Sequence, residues 1–427
     1  MNKRVFDRVR VTIIDGAGCG EAASRKDHYP QDANVNSILH AASSKPLDIP
    51  TFASLGLHLV SGLETLNMVQ SKLSPVIGAF GAASPRHTGN GSPEGHQALM
   101  GYNVVTPYLY FDKTGFPSHI IELVNSIASE VLRRPTYIVR YPGTDDINGV
   151  KFINHPGIGD VHFASHTNGG PLAIPIYASS DSLIQIALHQ EVVPQIQIEE
   201  IGKKIRAAVN KLGLRIARVI VRPFIGGPLA GQFKRVSGDR KDYGVDPDGP
   251  TLIDHLSNAQ IPVYGIGKAA SMLNYHGFKM ENVRKLGSDE ERLQAILTDL
   301  SENLIPHFSF DNLIGTDELW GHTRKPTEYS GHISMIDTYV AKGLRMMKPN
   351  DLWILTADHG NDPTQSFHTN HTNENVPIMI YSPRIKKAIN LGLRSSFTDI
   401  AATVAENFGI TDVFENSDSF LTELLNS

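Results

Sequence analysis

Carboxylates sit beside imidazoles at the ends of several short apolar runs in this chain. In Thr356-Ala-Asp-His-Gly-Asn-Asp-Pro-Thr364, Asp358 and His359 follow the run Leu352-Trp-Ile-Leu355. Asp317 and His322, in Asp317-Glu-Leu-Trp-Gly-His322, lie just beyond Leu313-Ile314, and His371 comes twelve residues after His359. Asp15 follows the β-branched run Val9-Arg-Val-Thr-Ile-Ile14 and opens the turn Asp15-Gly-Ala-Gly-Cys-Gly20. Standing alone, Asp15 would read as a turn or N-cap residue. The glycine spacing fits neither the dinucleotide fingerprint nor a P-loop. Mixed nitrogen and oxygen ligands suit divalent cations such as zinc or manganese. Two such ions about 3.5–4 Å apart clamp the attacking and leaving oxygens of a phosphoryl transfer. The pattern points to a phosphoryl-handling metalloenzyme.

Such an enzyme can use a nucleophile of its own. In His87-Thr-Gly-Asn-Gly-Ser-Pro-Glu-Gly-His96, Ser92 precedes Pro93 and Glu94. That is a conventional helix start, with Ser92 as N-cap, proline at the first helical position and an acid in the first turn. The same geometry serves chemistry. Unpaired N–H groups at a helix N-terminus attract phosphate, and a nearby metal can turn the hydroxyl into a nucleophile. The downstream ligand candidates favour that second reading of Ser92. His96 could contact the phosphoryl group or pack under the helix, whereas His87, His155, His162, His166 and His189 lack paired acids and read as structural or solvated loop residues rather than metal ligands.

The elements that must position these residues alternate. Short apolar runs at Val9–Ile14, Ile174–Tyr177, Ala217–Arg222, Val263–Ile266, Asn312–Ile314, Leu352–Leu355 and Pro377–Tyr381 read as strands. Stretches of helical period, among them 288–304 and 333–347, separate several of them. This alternation predicts an α/β fold with a mainly parallel sheet flanked by helices. Ligands in such sheets gather at the carboxyl ends of the strands. Residues 109–248, richer in glycine, proline and isolated histidine, read as an inserted smaller α/β cap domain. Residues 1–108 and 249–427 then form the metal-binding core.

At 427 residues the chain is long for one core and suits two or three domains. A formal charge of −5 argues against a nucleic-acid partner bound by bulk charge. One cysteine, Cys19, excludes an intrachain disulfide and a thiolate metal cluster, which fits a reducing cytoplasm. No apolar run approaches a membrane span, and the apolar stretch near the start is too short for a signal-peptide core.

Taken in order, Asp15, Ser92-Pro-Glu-Gly-His96, Asp317-x4-His322, Asp358-His359-Gly-Asn-Asp-Pro and His371-Thr-x-Glu374 resemble the alkaline phosphatase superfamily. More closely, and in near full-length register, the chain resembles the phosphopentomutases. Ser179-Ser-Asp-Ser-Leu-Ile-Gln-Ile-Ala187, Val219-Ile-Val-Arg-Pro-Phe-Ile-Gly226, Arg240-Lys-Asp-Tyr243 and Gly265-Ile-Gly-Lys268 add to the likeness. The resemblance implies an alkaline-phosphatase-like core in which Asp15, Asp317, His322, Asp358, His359 and His371 ligate two divalent cations of the Mn2+ type. It implies that Ser92 carries the exchangeable phosphoryl group, where phosphopentomutases use threonine. Ser179, Asp181, Arg222, Arg240 and Lys268 would hold the sugar and its distal phosphate. The implied reaction interconverts ribose or deoxyribose 1-phosphate and 5-phosphate through a bisphosphate, primed by a sugar bisphosphate activator. The loop Gly89–Ala98 lacks the family's Lys-Asp and Trp-Glu pairs and looks more like that of the cofactor-independent phosphoglycerate mutases, which marks a divergent member. A metal-dependent phosphatase, a mutase of another phosphosugar, and a silent binding paralogue remain as alternatives. Retained Arg222, Arg240 and Lys268 favour the mutase, because a hydrolase needs no second phosphate clamp.

Overall fold

Residues 4–69, 74–111, 114–141, 158–178, 182–227 and 233–426 are described by a computed structural model. Its strands, in chain order, begin with β1 (Arg8–Ile14), β2 (Ala79–Ala83), β3 (Thr136–Tyr141), β4 (Leu172–Tyr177), β5 (Leu183–His189) and β6 (Arg218–Ile225). They continue with β7 (Lys234–Arg235), β8 (Lys241–Gly244), β9 (Val263–Ile266), β10 (Val283–Arg284) and β11 (His307–Leu313). Last come β12 (Asp351–Thr356), β13 (Val376–Tyr381) and β14 (Ile389–Arg394).

Two compact units result: Met1–Val105 with Asp246–Ser427, and Thr106–Val245. In the first, eight strands run in the order β10-β9-β11-β1-β12-β13-β2-β14. Pairing is parallel except where β13 meets β12 and β2. In the second, the order is β3-β4-β5-β6-β7, with β8 pairing β6. Parallel pairs there (β3 with β4, β5 with β6) mix with antiparallel ones. Each unit has its own apolar core, around Phe308, Phe310 and Trp353 in the first and Ile174, Ile186 and Ile205 in the second. The helix expected from 288–304 spans Asp289–Glu302, with Ser288 as its N-cap in a capping box. Pro326 opens the long helix Pro326–Met346. Among the described residues no helix is long and apolar enough to cross a membrane.

The middle of the large sheet explains why the site forms where it does. β11, β1 and β12 are adjacent and parallel, so their carboxyl ends face the same edge. Asp15 follows β1 directly, Asp358 stands two residues past β12, and Asp317 lies in the turn Thr316–Gly321 after β11.

β11 begins five residues earlier than the apolar run Asn312–Ile314 suggested. The missed part, His307-Phe-Ser-Phe-Asp, is fully buried despite its polar residues. Ion pairs make that burial tolerable. Arg10 on β1 is held by Asp311 and Asp299, and the Arg8 Nε donates to Asp351 Oδ1 at 2.7 Å. Removing one partner of a buried set strands the other charges. Arg10→Met is therefore expected to destabilise the fold by about 3–5 kcal/mol, read as a lower denaturation midpoint. An unchanged midpoint would mean that this network does not hold β1 to β11.

Candidate metal centre and nucleophile

Two trios of ligand atoms converge at the carboxyl edge of the large sheet. Asp15, Asp358 and His359 form one; Asp317, His322 and His371 form the other. In the first, His359 Nε2 lies 3.4 Å from Asp15 Oδ1 and 3.1 Å from Asp358 Oδ2. In the second, Asp317 oxygens lie 3.3 Å from His322 Nε2 and 3.5 Å from His371 Nε2. The His359 and His371 rings stack at 3.8 Å, which joins the trios.

The ligand atoms of each trio are turned toward one another. His322 donates from Nδ1 to Thr369 O at 2.6 Å, and His371 from Nδ1 to Asn90 O at 2.8 Å. Each ring therefore turns Nε2 toward Asp317, and the two Nε2 atoms stand 3.1 Å apart. Asp15 Oδ1 is buried without a hydrogen bond, and Asp358 Oδ2 has the nitrogens of His96 and His359 for neighbours, each at 3.1 Å. A divalent cation in each trio would satisfy all of these atoms, so the residues fit the metals. The titration pattern has the same cause. Burial, then Asp358 and Asp317, pushes the Asp15 carboxyl well above its usual range. Burial also opposes charge on His359, but Asp358, Asp15 and Asp317 overcome it and raise the imidazole to about 10. Asp317 is held well below the carboxylate range because His322 and His371 outweigh its burial.

Ser92 meets the first trio. Its Oγ is 3.0 Å from His359 Nε2, and the residue is only 9% exposed. The sequence reading made Ser92 the N-cap; Gly91 holds that position instead, and Ser92 begins the helix Ser92–Leu99. Gly91 has extended backbone (φ −80, ψ 156) and makes no side-chain cap. As the first helical residue, Ser92 is free to turn its hydroxyl toward His359. Gly95 lets the helix approach, since a Cβ there would come within 2.1 Å of Asp358 O. His96 packs under the helix, fully buried. Its Nδ1 donates to Ser92 O at 2.8 Å. The Asn312 amide donates to Asp15 Oδ2 at 3.0 Å and lies 3.1 Å from His96 Nε2.

Sequence reasoning passed over Asn312 and Asn361. Asn361 donates to Asp317 Oδ1 at 2.6 Å and is itself held by Arg324 Nη1 at 2.6 Å. Its place inside Asp358-His-Gly-Asn-Asp362 was the available signal; Asn312 was hidden inside a strand. Such supports orient ligands and tune affinity by about 10–100-fold. Asn361→Ala is expected to weaken metal binding by that factor, measured by metal titration; unchanged affinity would remove Asn361 from the centre.

The residues expected to grip the sugar and distal phosphate fall in different places. Lys268 belongs to the first unit, 3.0 Å from Glu318. Burial opposes its charge, but Glu318, Asp15 and Asp317 raise its pKa. In the second unit, Arg222 on β6 has its guanidinium lowered to about 10, chiefly by burial; Tyr177 opposes this while Arg240 and Arg235 add to it. Arg240 is paired to Asp242 through two contacts of 2.6 Å. Ser179, Asp181 and His155 lie outside the described residues. His162 and His189 are buried in the second unit and bound to Ala173 O and Gly226 O, in keeping with structural roles.

Comparison with known proteins adds to this geometry. A family model described as the Metalloenzyme superfamily matches residues 267–412, a segment holding Asp317, His322, Asp358, His359 and His371. A phosphopentomutase of Caldanaerobacter subterraneus subsp. tengcongensis is 32% identical over 424 residues, 98% of each chain. One from Herpetosiphon aurantiacus is 31% identical over 423 residues, covering 98% of this chain and 99% of its own. Among solved structures, the phosphoglycerate mutase of Leishmania mexicana aligns over 98% of both chains at 12% identity, with a TM-score of 0.48. The PH0037 protein of Pyrococcus horikoshii aligns over 96% of this chain and 99% of its own at 13% identity, with a TM-score of 0.46.

Proposed function

The chain belongs to the phosphopentomutase family, and on that premise we propose that it interconverts pentose 1-phosphate and pentose 5-phosphate through a phosphorylated Ser92. The carrying observation is the Ser92 hydroxyl, 3.0 Å from His359 Nε2 at the start of a helix and beside two convergent ligand trios. Asp15, Asp358 and His359 would hold one divalent cation and Asp317, His322 and His371 the other, with manganese as the expected metal. Bound there, the cations would supply Lewis-acid charge to the hydroxyl and the phosphoryl oxygens.

The chain's own groups account for the rest. At the start of the helix Ser92–Leu99 the N–H groups of Ser92 and Glu94 would favour the negative charge of a phosphoryl group on Ser92, Pro93 having none to offer. In the forward step the free hydroxyl of the sugar monophosphate attacks phosphorus. The bond from phosphorus to Ser92 Oγ breaks, and the sugar's proton ends on Ser92. The bisphosphate then turns round, and its other phosphoryl group moves to Ser92 by the reverse step. A sugar bisphosphate is expected to prime resting enzyme. Arg222 suits bidentate contact with the distal phosphate; Arg240, whose Nε and Nη2 are held by Asp242, would add its charge, and Lys268, Ser179 and Asp181 would complete the grip. We give the second unit the part of a cap, since a phosphoenzyme must be kept from water between half-reactions.

Peptide mapping after incubation of Mn-loaded protein with a sugar bisphosphate tests this reading. One phosphoryl group on Ser92 is the expected result. A phosphoryl group on another residue, or none, would contradict it.

A further inference from the structure

Arg25 lies in the 3-10 turn Ala23–His28 and is only 8% exposed. A buried guanidinium is costly unless it is paired, yet Arg25 forms no ion pair among the described residues. Its Nη2 donates instead to two neutral oxygens just ahead of Ser92: Gly89 O and Asn90 Oδ1, each at 2.7 Å. The guanidinium also lies over the Tyr29 ring, 4.7 Å from its centroid. Arginine can only donate, so the amide oxygen of Asn90 must face it. The main-chain oxygen of the same Asn90 accepts from His371 Nδ1. Asn90 thereby ties together the turn bearing Arg25, a ligand of the second trio and the loop that delivers Ser92. Gly89 has φ +83, a left-handed conformation that ordinary residues rarely adopt, and its carbonyl is one of the two oxygens Arg25 holds.

We propose that Arg25 is a positioning residue for phosphoryl transfer. It fixes Gly89 and Asn90 so that Ser92 and His371 keep their mutual register, and it leaves a positive charge beside the loop where the phosphoserine dianion forms. The inference rests on the reading of Ser92 as phosphoryl carrier. In the step it assists, the phosphoryl group leaves a sugar bisphosphate oxygen for Ser92 Oγ, and the serine proton passes to that sugar oxygen. Arg25 neither gives nor takes a proton.

Single-turnover phosphorylation of full-length, Mn-loaded protein by a sugar bisphosphate tests the proposal, alongside KM for the pentose phosphate and metal content. Arg25→Gln is expected to slow phosphorylation of Ser92 by about 10²-fold, the scale of losing one preorganised donor. KM and metal content should stay near wild type, and Arg25→Lys should recover a large part of the rate. Asn90→Ala, which removes the acceptor and leaves the guanidinium, should slow the same step, with little further loss in the double variant. Wild-type rates in Arg25→Gln or in Asn90→Ala would overturn the proposal. Equal losses in the Gln and Lys variants, with KM rising and metal content falling, would overturn it by showing a merely structural arginine. If wild-type protein acquires no phosphoserine, the Ser92 reading fails and this inference with it; phosphorylated wild type with an unaffected Arg25→Gln sinks this inference alone.

Discussion

Ser92→Ala is expected to lower mutase turnover by roughly 10⁴- to 10⁶-fold, the scale seen when an enzyme's nucleophile is removed, while the fold stays intact. The hydroxyl is small, and it contacts His359 Nε2. No core packing is lost with it. Binding of the pentose phosphate should survive, because the groups proposed to grip the distal phosphate lie elsewhere in the chain. The loss should therefore fall on kcat and on the phosphoenzyme, with KM little changed. Ser92→Thr keeps the oxygen and matches the residue that phosphopentomutases use. It should retain measurable turnover, reduced by any rotamer restriction that the added methyl imposes. Steady-state rates of the two variants check both statements. An active Ser92→Ala would remove the phosphoserine from the mechanism.

Removal of divalent metal is the second large effect. Stripping with a chelator is expected to abolish turnover and to lower the melting temperature, and manganese should restore both. Asp15, Asp358, Asp317, His322 and His371 bring oxygens and Nε2 lone pairs within a few ångströms of one another. Without a cation the Asp15 carboxylate is opposed by Asp358 and Asp317, and its Oδ1 stays buried without a hydrogen bond. At a free metal concentration of 100 times Kd, each site adds about 2.7 kcal/mol to the folded state. Asp358→Asn should forfeit most of the first trio's share of that stabilisation. Calorimetry with and without manganese reads the effect. A melting temperature indifferent to chelation would contradict the two-trio centre.

Much of this was legible in the residues because chemistry fixes type more tightly than it fixes structure. Asp317, His322, Asp358 and His359 could be picked out by their places after apolar runs, while the resemblance to the phosphopentomutases completed the set with Asp15 and His371. The fold then brings them into the two trios because β11, β1 and β12 are neighbouring parallel strands. β11 itself was half hidden, since its buried Asp311 is made tolerable by Arg10, a partner 301 residues away in sequence. Hydrophobic pattern cannot report such a pairing. Asn312, Asn361 and Arg25 escaped notice for the same reason: each acts by a hydrogen bond to a distant segment, and none belongs to a residue type that announces a site. Ser92 was placed one position early, because Ser-Pro fits an N-cap pattern while Gly91 supplies the extended backbone that the cap needs.

The most direct measurement follows ribose 1-phosphate, Mn-loaded protein and a trace of sugar bisphosphate, recording ribose 5-phosphate and free phosphate together. Ribose 5-phosphate is expected without matching phosphate release, and it is lost in Ser92→Ala. Stoichiometric release of phosphate with no ribose 5-phosphate would contradict it and make the chain a hydrolase on a mutase fold.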